Sequence, residues 1–233
     1  RQSTTVEVKL MSYNSLAALY RTQPVAARIV DLPAHDMFRE GFEASVSDDE
    51  EAADELDEMC DELCVEKAMV DAIRYRGAYG GSAILVGAND GQADLSKPLN
   101  EEAIKSIDYL TVFDAFEAQP VEWETNPLKK GFGHPTMFQL NPHMVGTGIS
   151  PLARVHASRF LVFQGAIANR RQIVEPAQGV NQGWGDSVFQ RIADNIRDYD
   201  ELPDYIKKGI AIHFVEHYDE VYKIAFPPRE EEL

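Results

Sequence analysis

The sequence predicts an α+β fold in which a long helix packs on a mixed β-sheet. In the N-terminal third, apolar residues recur at spacings of three and four, which is typical of amphipathic helices. Short apolar runs such as "SAILVG" and "FLVFQG" follow, bounded by glycines and turn residues, and these are typical of buried strands. The 233 residues suffice for one large domain or two small ones.

The composition is strongly acidic, with 39 acidic against 22 basic residues and a formal net charge of −17. Such a chain is poorly suited to holding DNA through its phosphates, which takes clusters of Lys and Arg. The beginning of the sequence lacks the apolar core of a signal peptide and no apolar run reaches the ~18 residues of a membrane span, so an intracellular protein is predicted. The two cysteines, Cys60 and Cys64, are predicted to be free thiols, because a disulfide at that spacing would strain a helix.

Two short helices are predicted between Asn14 and Phe42. Pro24 suits the first turn of the second helix, where its missing N–H costs nothing. Pro33 is predicted to end that helix.

A long acidic helix is predicted next, with Ser47 as its N-cap and its end near Tyr79. Ten acids and no base lie between Asp48 and Glu62. This face is interpreted as solvated or, alternatively, as facing a basic neighbour.

The stretch "AYGGSAILVGANDG" (78–91) raises the possibility of a phosphate-binding loop. Such loops lead from a strand into a helix N-terminus, whereas here the glycines follow a helix. Gly80 or Gly81 is therefore predicted to end the long helix with a positive φ, and Ser82–Gly87 to form a strand closed by an Asn-Asp-Gly turn. Further strands are predicted around Ile107–Phe113, in "HPTMFQL" and in Ser158–Gly165, then a long polar loop, a helix from Asp186, and a β-rich end.

Two catalytic patterns occur in the chain. "HPT" at His134 and "HAS" at His156 match the His-x-Thr/Ser motif of two-histidine phosphodiesterases, in which one His is the base and the other the acid. Only 22 residues separate them, which leaves little room for the two repeats of such enzymes. "HFVEH" (213–217) matches an inverted zinc-protease pattern, but its flanks alternate as in a strand, which would hold the histidines roughly 13 Å apart.

Four segments, in this order, resemble signatures of tailed-bacteriophage portal proteins: "LYRTQPVAARIVDLPAHDMFREGFE", "RYRGAYGGSAILVG", "VHASRFLVFQG" and "GWGDSVFQRIADNIRDYD". A branch of that family is grouped with anti-CBASS proteins, some of which carry or resemble a cyclic-oligonucleotide phosphodiesterase. The residues that carry the resemblance are Tyr20, Arg28, Asp31, Pro33, Asp36, Arg39, Gly80, Gly81, His156, Ser158, Arg159, Gly183, Trp184, Gly185, Ser187 and Arg191.

The resemblance implies a structural protein without cofactor, metal or catalytic residues. It implies a homododecameric ring at one capsid vertex, through which double-stranded DNA is packaged and ejected without sequence recognition. The implied partners are further copies of the chain, the terminase motor, head-completion or adaptor proteins and the major capsid protein, with no membrane. The implied location is the virion, and the host cytoplasm during assembly. A two-histidine phosphodiesterase and another head–tail adaptor stay open as alternatives.

The resemblance also implies a domain division, with residues 1–200 as the portal wing and body and 201–233 as a late β segment and charged tail. Portals of this type carry stem and clip segments between these parts, but here the chain passes between them almost directly. Either this is a shortened relative or that region is missing from the chain, and the second is favoured. Arg170 and Arg171 are predicted to contact the acidic helix of a neighbouring subunit.

Overall fold

A computed structural model describes residues 11–42, 50–141, 153–166 and 183–200. The chain divides into two compact units, Arg1–Ala193 and Asp194–Leu233. The predicted N-cap Ser47, the arginines Arg170 and Arg171, the "HFVEH" pattern and the late β segment lie outside the described residues.

Two N-terminal helices are present as predicted, α1 (Tyr13–Thr22) and α2 (Pro24–Met37). Pro24 occupies the first turn of α2. The prediction that Pro33 ends this helix is wrong, because α2 continues through it to Met37. Proline removes only one helical hydrogen bond, and the buried residues on either side of it, Val30 and Ala34, hold both halves of the helix against the core.

The single long acidic helix of the prediction is two helices, α3 (Glu50–Glu62) and α4 (Val65–Tyr79). Cys64 separates them in the left-handed conformation, with φ of 50°, and is the only non-glycine residue with positive φ among the described residues. α4 ends as predicted at Gly80, whose φ is 85° and whose N–H donates to Arg76 O at 3.0 Å.

The first sheet has the order β2-β1-β6, formed by Gly81–Asn89 (β1), Ser106–Asp114 (β2) and Phe160–Gln164 (β6). Both pairings are antiparallel. The predicted strands at 82–87, 107–113 and 158–165 are thus confirmed within a few residues.

The second sheet has the order β3-β4-β5, formed by Ala118–Trp123 (β3), Pro135–Leu140 (β4) and Ala153–His156 (β5). Only β4 was predicted. The α+β class is confirmed, but the described strands form two antiparallel sheets rather than one mixed sheet. A last helix, α5 (Phe189–Asp200), begins three residues after the predicted start at Asp186.

The core lies on both faces of β1. Ala83 and Leu85 belong to the main apolar cluster, which includes Phe138 of β4 and Trp184. Ile84 points the other way, into a smaller cluster with two alanines of α4. β1 is therefore a central strand between α4 and the second sheet, as its almost unbroken burial requires.

Candidate functional site

Three glycines from three of the signature segments meet at the end of α4. The carbonyl oxygen of Gly80 accepts hydrogen bonds from the N–H groups of Gly165 and Gly185, both at 2.9 Å. A Cβ atom at Gly80 would lie 2.3 Å from Gly185 O, and one at Gly165 would lie 2.4 Å from Gly80 O. No side chain fits at this point, which we call the glycine junction (Gly80, Gly165 and Gly185).

Trp184 joins the glycine junction to the second sheet. Its Nε1 donates to Ala118 O at 3.0 Å, and its ring lies 5.8 Å from that of Phe138, centroid to centroid. A Cβ atom at Gly81 would lie 2.3 Å from Cε3 of the indole, so the absence of a side chain at Gly81 makes room for this ring. Gly183, with φ of 91°, turns the chain into this position.

Ser187 connects the end of α4 to the start of α5. Its Oγ donates to Ala78 O at 2.6 Å and accepts from Phe189 N at 3.1 Å. Val188 N donates to Gly77 O at 2.9 Å. The "GWGDS" segment (183–187) and the residue after it thus satisfy carbonyl groups that the last turn of α4 would otherwise leave unpaired.

Arg159 forms a fully buried ion pair with Asp90, at 2.7 Å between Nη2 and Oδ2. Asp90 also accepts from the backbone N–H groups of Asn100 and Gln92, both at 3.1 Å. The N–H of Asn100 contributes most to holding the pKa of Asp90 at about 2, with further lowering from Gln92 N–H and the Arg159 guanidinium and an opposing effect of burial. Arg159 Nε donates to Lys97 O at 3.0 Å, so this pair fixes the 90–100 loop against β6.

His156 and Ser158 form a local cap. Ser158 N donates to His156 Nδ1 at 3.2 Å, and Ser158 Oγ lies 2.9 Å from the same nitrogen. Ser158 Oγ also accepts from Leu99 N at 2.8 Å. Burial, and then the nearby charge of Arg159, lower the pKa of His156. The "HAS" pattern therefore stabilises the turn between β5 and β6.

The strand register does not place the two phosphodiesterase-like motifs opposite each other. His134 is exposed and directly precedes β4, whereas His156 ends β5 and lies opposite Met137. Met137 lies three positions beyond His134 along the chain, which amounts to roughly 10 Å between their Cα atoms. His134 and His156 therefore do not face each other across the β4–β5 pair.

A second hydrogen-bonded network joins the N-terminal helices to α4. Tyr20 donates to Asp31 Oδ1 at 2.7 Å, and Arg74 donates to the same oxygen at 2.8 Å and to Tyr20 Oη at 2.6 Å. Burial lowers the pKa of Arg74, but its bonds to Tyr20 and Asp31 outweigh this effect and the pKa is raised. We call these residues the helix triad (Tyr20, Asp31 and Arg74).

The other signature residues lie on the surface. Arg28, Pro33 and Asp36 are exposed on α2, Arg39 is exposed just after that helix, and Arg191 is exposed on α5. Within the described residues, their side chains form no hydrogen bond or ion pair that would give them a role inside the subunit.

Sequence reasoning missed Arg74 and Asp90. Asp90 was interpreted only as part of the Asn-Asp-Gly turn, and no sequence spacing links it to Arg159, 69 residues away.

The described residues contain no group of three or more His, Cys, Asp or Glu side chains able to hold a metal ion. No helix within the described ranges is both long and apolar enough to cross a membrane.

The geometry defines an α+β scaffold in which eleven of the sixteen signature residues are used in packing and hydrogen bonding. Residues 14–217 match the family described as phage portal protein, and the chain belongs to this family.

Two relatives match over most of the chain, and both are named anti-CBASS protein Acb1. One, from Sphingomonas paeninsulae, is 31% identical over 195 residues, covering 83% of this chain and 29% of the relative. The other, from Caulobacter sp. (strain RHG1), is 28% identical over 188 residues, covering 79% and 28%. The chain thus spans less than a third of the length of these curated relatives.

A short stretch is similar to Lon protease. The Lon protease of Protochlamydia amoebophila is 71% identical over 34 residues, which cover 15% of this chain and 4% of the relative.

Proposed function

We propose that this chain supplies the wing and body, residues 1–200, of a portal subunit that assembles into a homododecameric ring at one capsid vertex. Double-stranded DNA would be packaged and ejected through this ring. The family match over residues 14–217 carries the proposal. It is supported by the use of the signature residues, which join α4, both sheets and the start of α5 into one scaffold.

The proposed mechanism is mechanical and electrostatic, with no catalytic residue and no cofactor. The subunit contributes a rigid segment of the ring wall, and the net charge of −17 per chain, repeated around a ring, limits adhesion of a polyanion. The terminase motor, head-completion or adaptor proteins and the major capsid protein are the proposed partners, in the virion and, during assembly, in the host cytoplasm. The exposed signature residues on α2 are suited to contacts outside the subunit.

Counting subunits tests this proposal. Native mass spectrometry and electron-microscope class averages of the 233-residue chain should give a closed ring with dodecameric mass and symmetry. A stable monomer would contradict the proposal, and a closed ring of other symmetry would favour another head–tail adaptor.

The second candidate is a two-histidine cyclic-oligonucleotide phosphodiesterase. The names of the two long relatives and the motifs at His134 and His156 favour it. The separation of these histidines, and the engagement of His156 Nδ1 by Ser158, argue against it.

An activity assay tests this second candidate. The purified chain should not hydrolyse cyclic di- or trinucleotides above the rate of a protein-free blank. Hydrolysis that disappears in both His134→Ala and His156→Ala would establish the phosphodiesterase instead.

A further inference from the structure

The connection between β3 and β4 presents apolar side chains to solvent from an ordered turn. We call residues 124–134 the hairpin tip. Leu128 is 92% exposed and Phe132 54% exposed. The tip is nevertheless held by internal hydrogen bonds, including Gly133 N to Glu124 O at 2.9 Å and Lys129 Nζ to Glu124 Oε2 at 2.7 Å. The hydrogen-bonded turn therefore presents a leucine and a phenylalanine to solvent, where both are available to a partner.

The hairpin tip is also basic. Lys129 and Lys130 are the only two consecutive basic residues in the described ranges. Lys129 is paired with Glu124, whereas no salt bridge joins Lys130 to a described carboxylate. The tip therefore offers apolar groups beside a positive charge in an otherwise acidic chain.

A cleft of complementary character lies where α3 ends and α4 begins. We call it the acidic cleft, and its volume is about 270 Å³. The left-handed residue Cys64 opens it by breaking the helix, and Phe42, 45% exposed, forms part of its apolar wall. Besides Phe42 and Cys64, its lining includes Asp57, Cys60, Asp61, Val65 and Glu66.

The three carboxylates of the acidic cleft are available to a basic partner. Asp57, Asp61 and Glu66 are exposed, and none forms a salt bridge with a described lysine or arginine. An acidic rim around an apolar wall fits a partner that carries a lysine next to a large apolar side chain.

We propose that the hairpin tip of one copy docks into the acidic cleft of a second copy, with Leu128 against the apolar wall and Lys130 facing the carboxylates. The volume is adequate, because a cavity of about 150 Å³ already holds benzene. The exposure of Leu128 shows that a copy does not fill its own cleft. A contact between two different surfaces of the same chain is heterologous and can close into a ring. The inference therefore deepens the proposed ring, on which it rests, by naming a contact that builds it.

Disulfide trapping tests the contact directly. The chain has two cysteines, and both line the acidic cleft, so one new cysteine at the tip suffices. Under mild oxidation, Leu128→Cys should give reducible multimers on a non-reducing gel. The multimers should vanish when Cys60→Ser and Cys64→Ser are added, and Glu101→Cys, exposed elsewhere, should give none. Multimers that persist without the cleft cysteines would show tip-to-tip contact and overturn the proposal.

Charge exchange provides a second readout. Lys130→Glu and Asp61→Lys should each weaken self-association about tenfold, as measured by sedimentation, because each places like charges together. The double variant should recover most of this loss. If the double variant instead loses as much self-association free energy as the two single variants together, the proposed pairing of Lys130 with Asp61 would be overturned.

The outcomes separate this contact from ring formation. A ring that forms without Leu128→Cys trapping would refute the docking but leave the portal proposal standing. Trapped multimers without a closed ring would support the docking and contradict the ring. A monomer without trapping would refute both, and binding of the tip to another head protein alone would refute the docking.

Discussion

At Gly80, a left-handed backbone conformation coincides with a very close approach of neighbouring backbone. Its φ is 85°, and an added Cβ would lie 2.3 Å from Gly185 O. We expect Gly80→Ala to destabilise the fold by at least about 2 kcal/mol, since both left-handed strain and overpacking oppose it. Urea unfolding would measure this loss.

Gly131→Ala is the matched control, because a Cβ atom added at Gly131 would have no atom within 4 Å and the residue has no positive φ. It should change the free energy of unfolding by less than about 0.5 kcal/mol. Equal effects of the two substitutions would contradict the close packing at the glycine junction.

Asp90 should give the acid side of the stability curve a specific shape. Its pKa is about 2, below the usual 3.8, so the folded state favours the charged carboxylate. Its contribution is complete above about pH 4 and is lost as the pH falls towards 2. The difference in Tm between the wild-type chain and Asp90→Asn should therefore narrow over this window.

Thermal unfolding followed by circular dichroism from pH 7 to 2 measures that difference. Asp54→Asn, at an exposed position on α3, controls for the loss of a surface charge. A Tm difference between the wild-type chain and Asp90→Asn that stays constant down to pH 2 would show that the Asp90 charge does not stabilise the fold.

At the scale of elements, the helix triad connects α1, α2 and α4. Removing either charged partner leaves hydrogen-bonding groups of the other unsatisfied, so Asp31→Ala and Arg74→Ala should each cost about 1–3 kcal/mol. A double-mutant cycle should give a coupling of about 0.5–3 kcal/mol between Asp31 and Arg74. Asp36→Ala, on the exposed face of α2, should be nearly neutral, and a coupling near zero would show that the triad does not join these helices.

Most elements could be predicted from the sequence because their apolar spacing is regular. The exceptions have local causes. Pro120 lies inside β3 and argues against a strand there, and β5 has only four residues, which is too short to show a strand pattern. The break between α3 and α4 at Cys64 could not be predicted, because the helical spacing of apolar residues continues on both sides of it. No sequence pattern indicates that a cysteine adopts a left-handed conformation.

At the scale of the whole molecule, the glycine junction depends on contacts between segments that are separated in the sequence. Gly80, Gly165 and Gly185 are far apart in the chain, and only the folded structure brings them to one carbonyl oxygen. The segments that resemble portal signatures contain all three glycines, but the resemblance does not explain them. The explanation requires the antiparallel pairing of β1 and β6, which places Gly165 beside the end of α4.

The net charge leads to a prediction about DNA. With −17 per chain, counterion release cannot drive binding, so we expect a Kd for double-stranded DNA above roughly 10⁻⁴ M, weaker than ordinary non-specific binding. Gel mobility shifts at low and physiological salt would measure it. A variant with Glu55→Lys and Glu58→Lys, both exposed on α3, should bind DNA at least as tightly as the wild-type chain. Any binding that it gains should weaken as the salt concentration rises. In the assembled ring, acids should outnumber bases on the channel surface. Tight, salt-dependent DNA binding by the wild-type chain, or a channel lined mainly by Lys and Arg, would contradict a ring wall that lets DNA pass without adhesion.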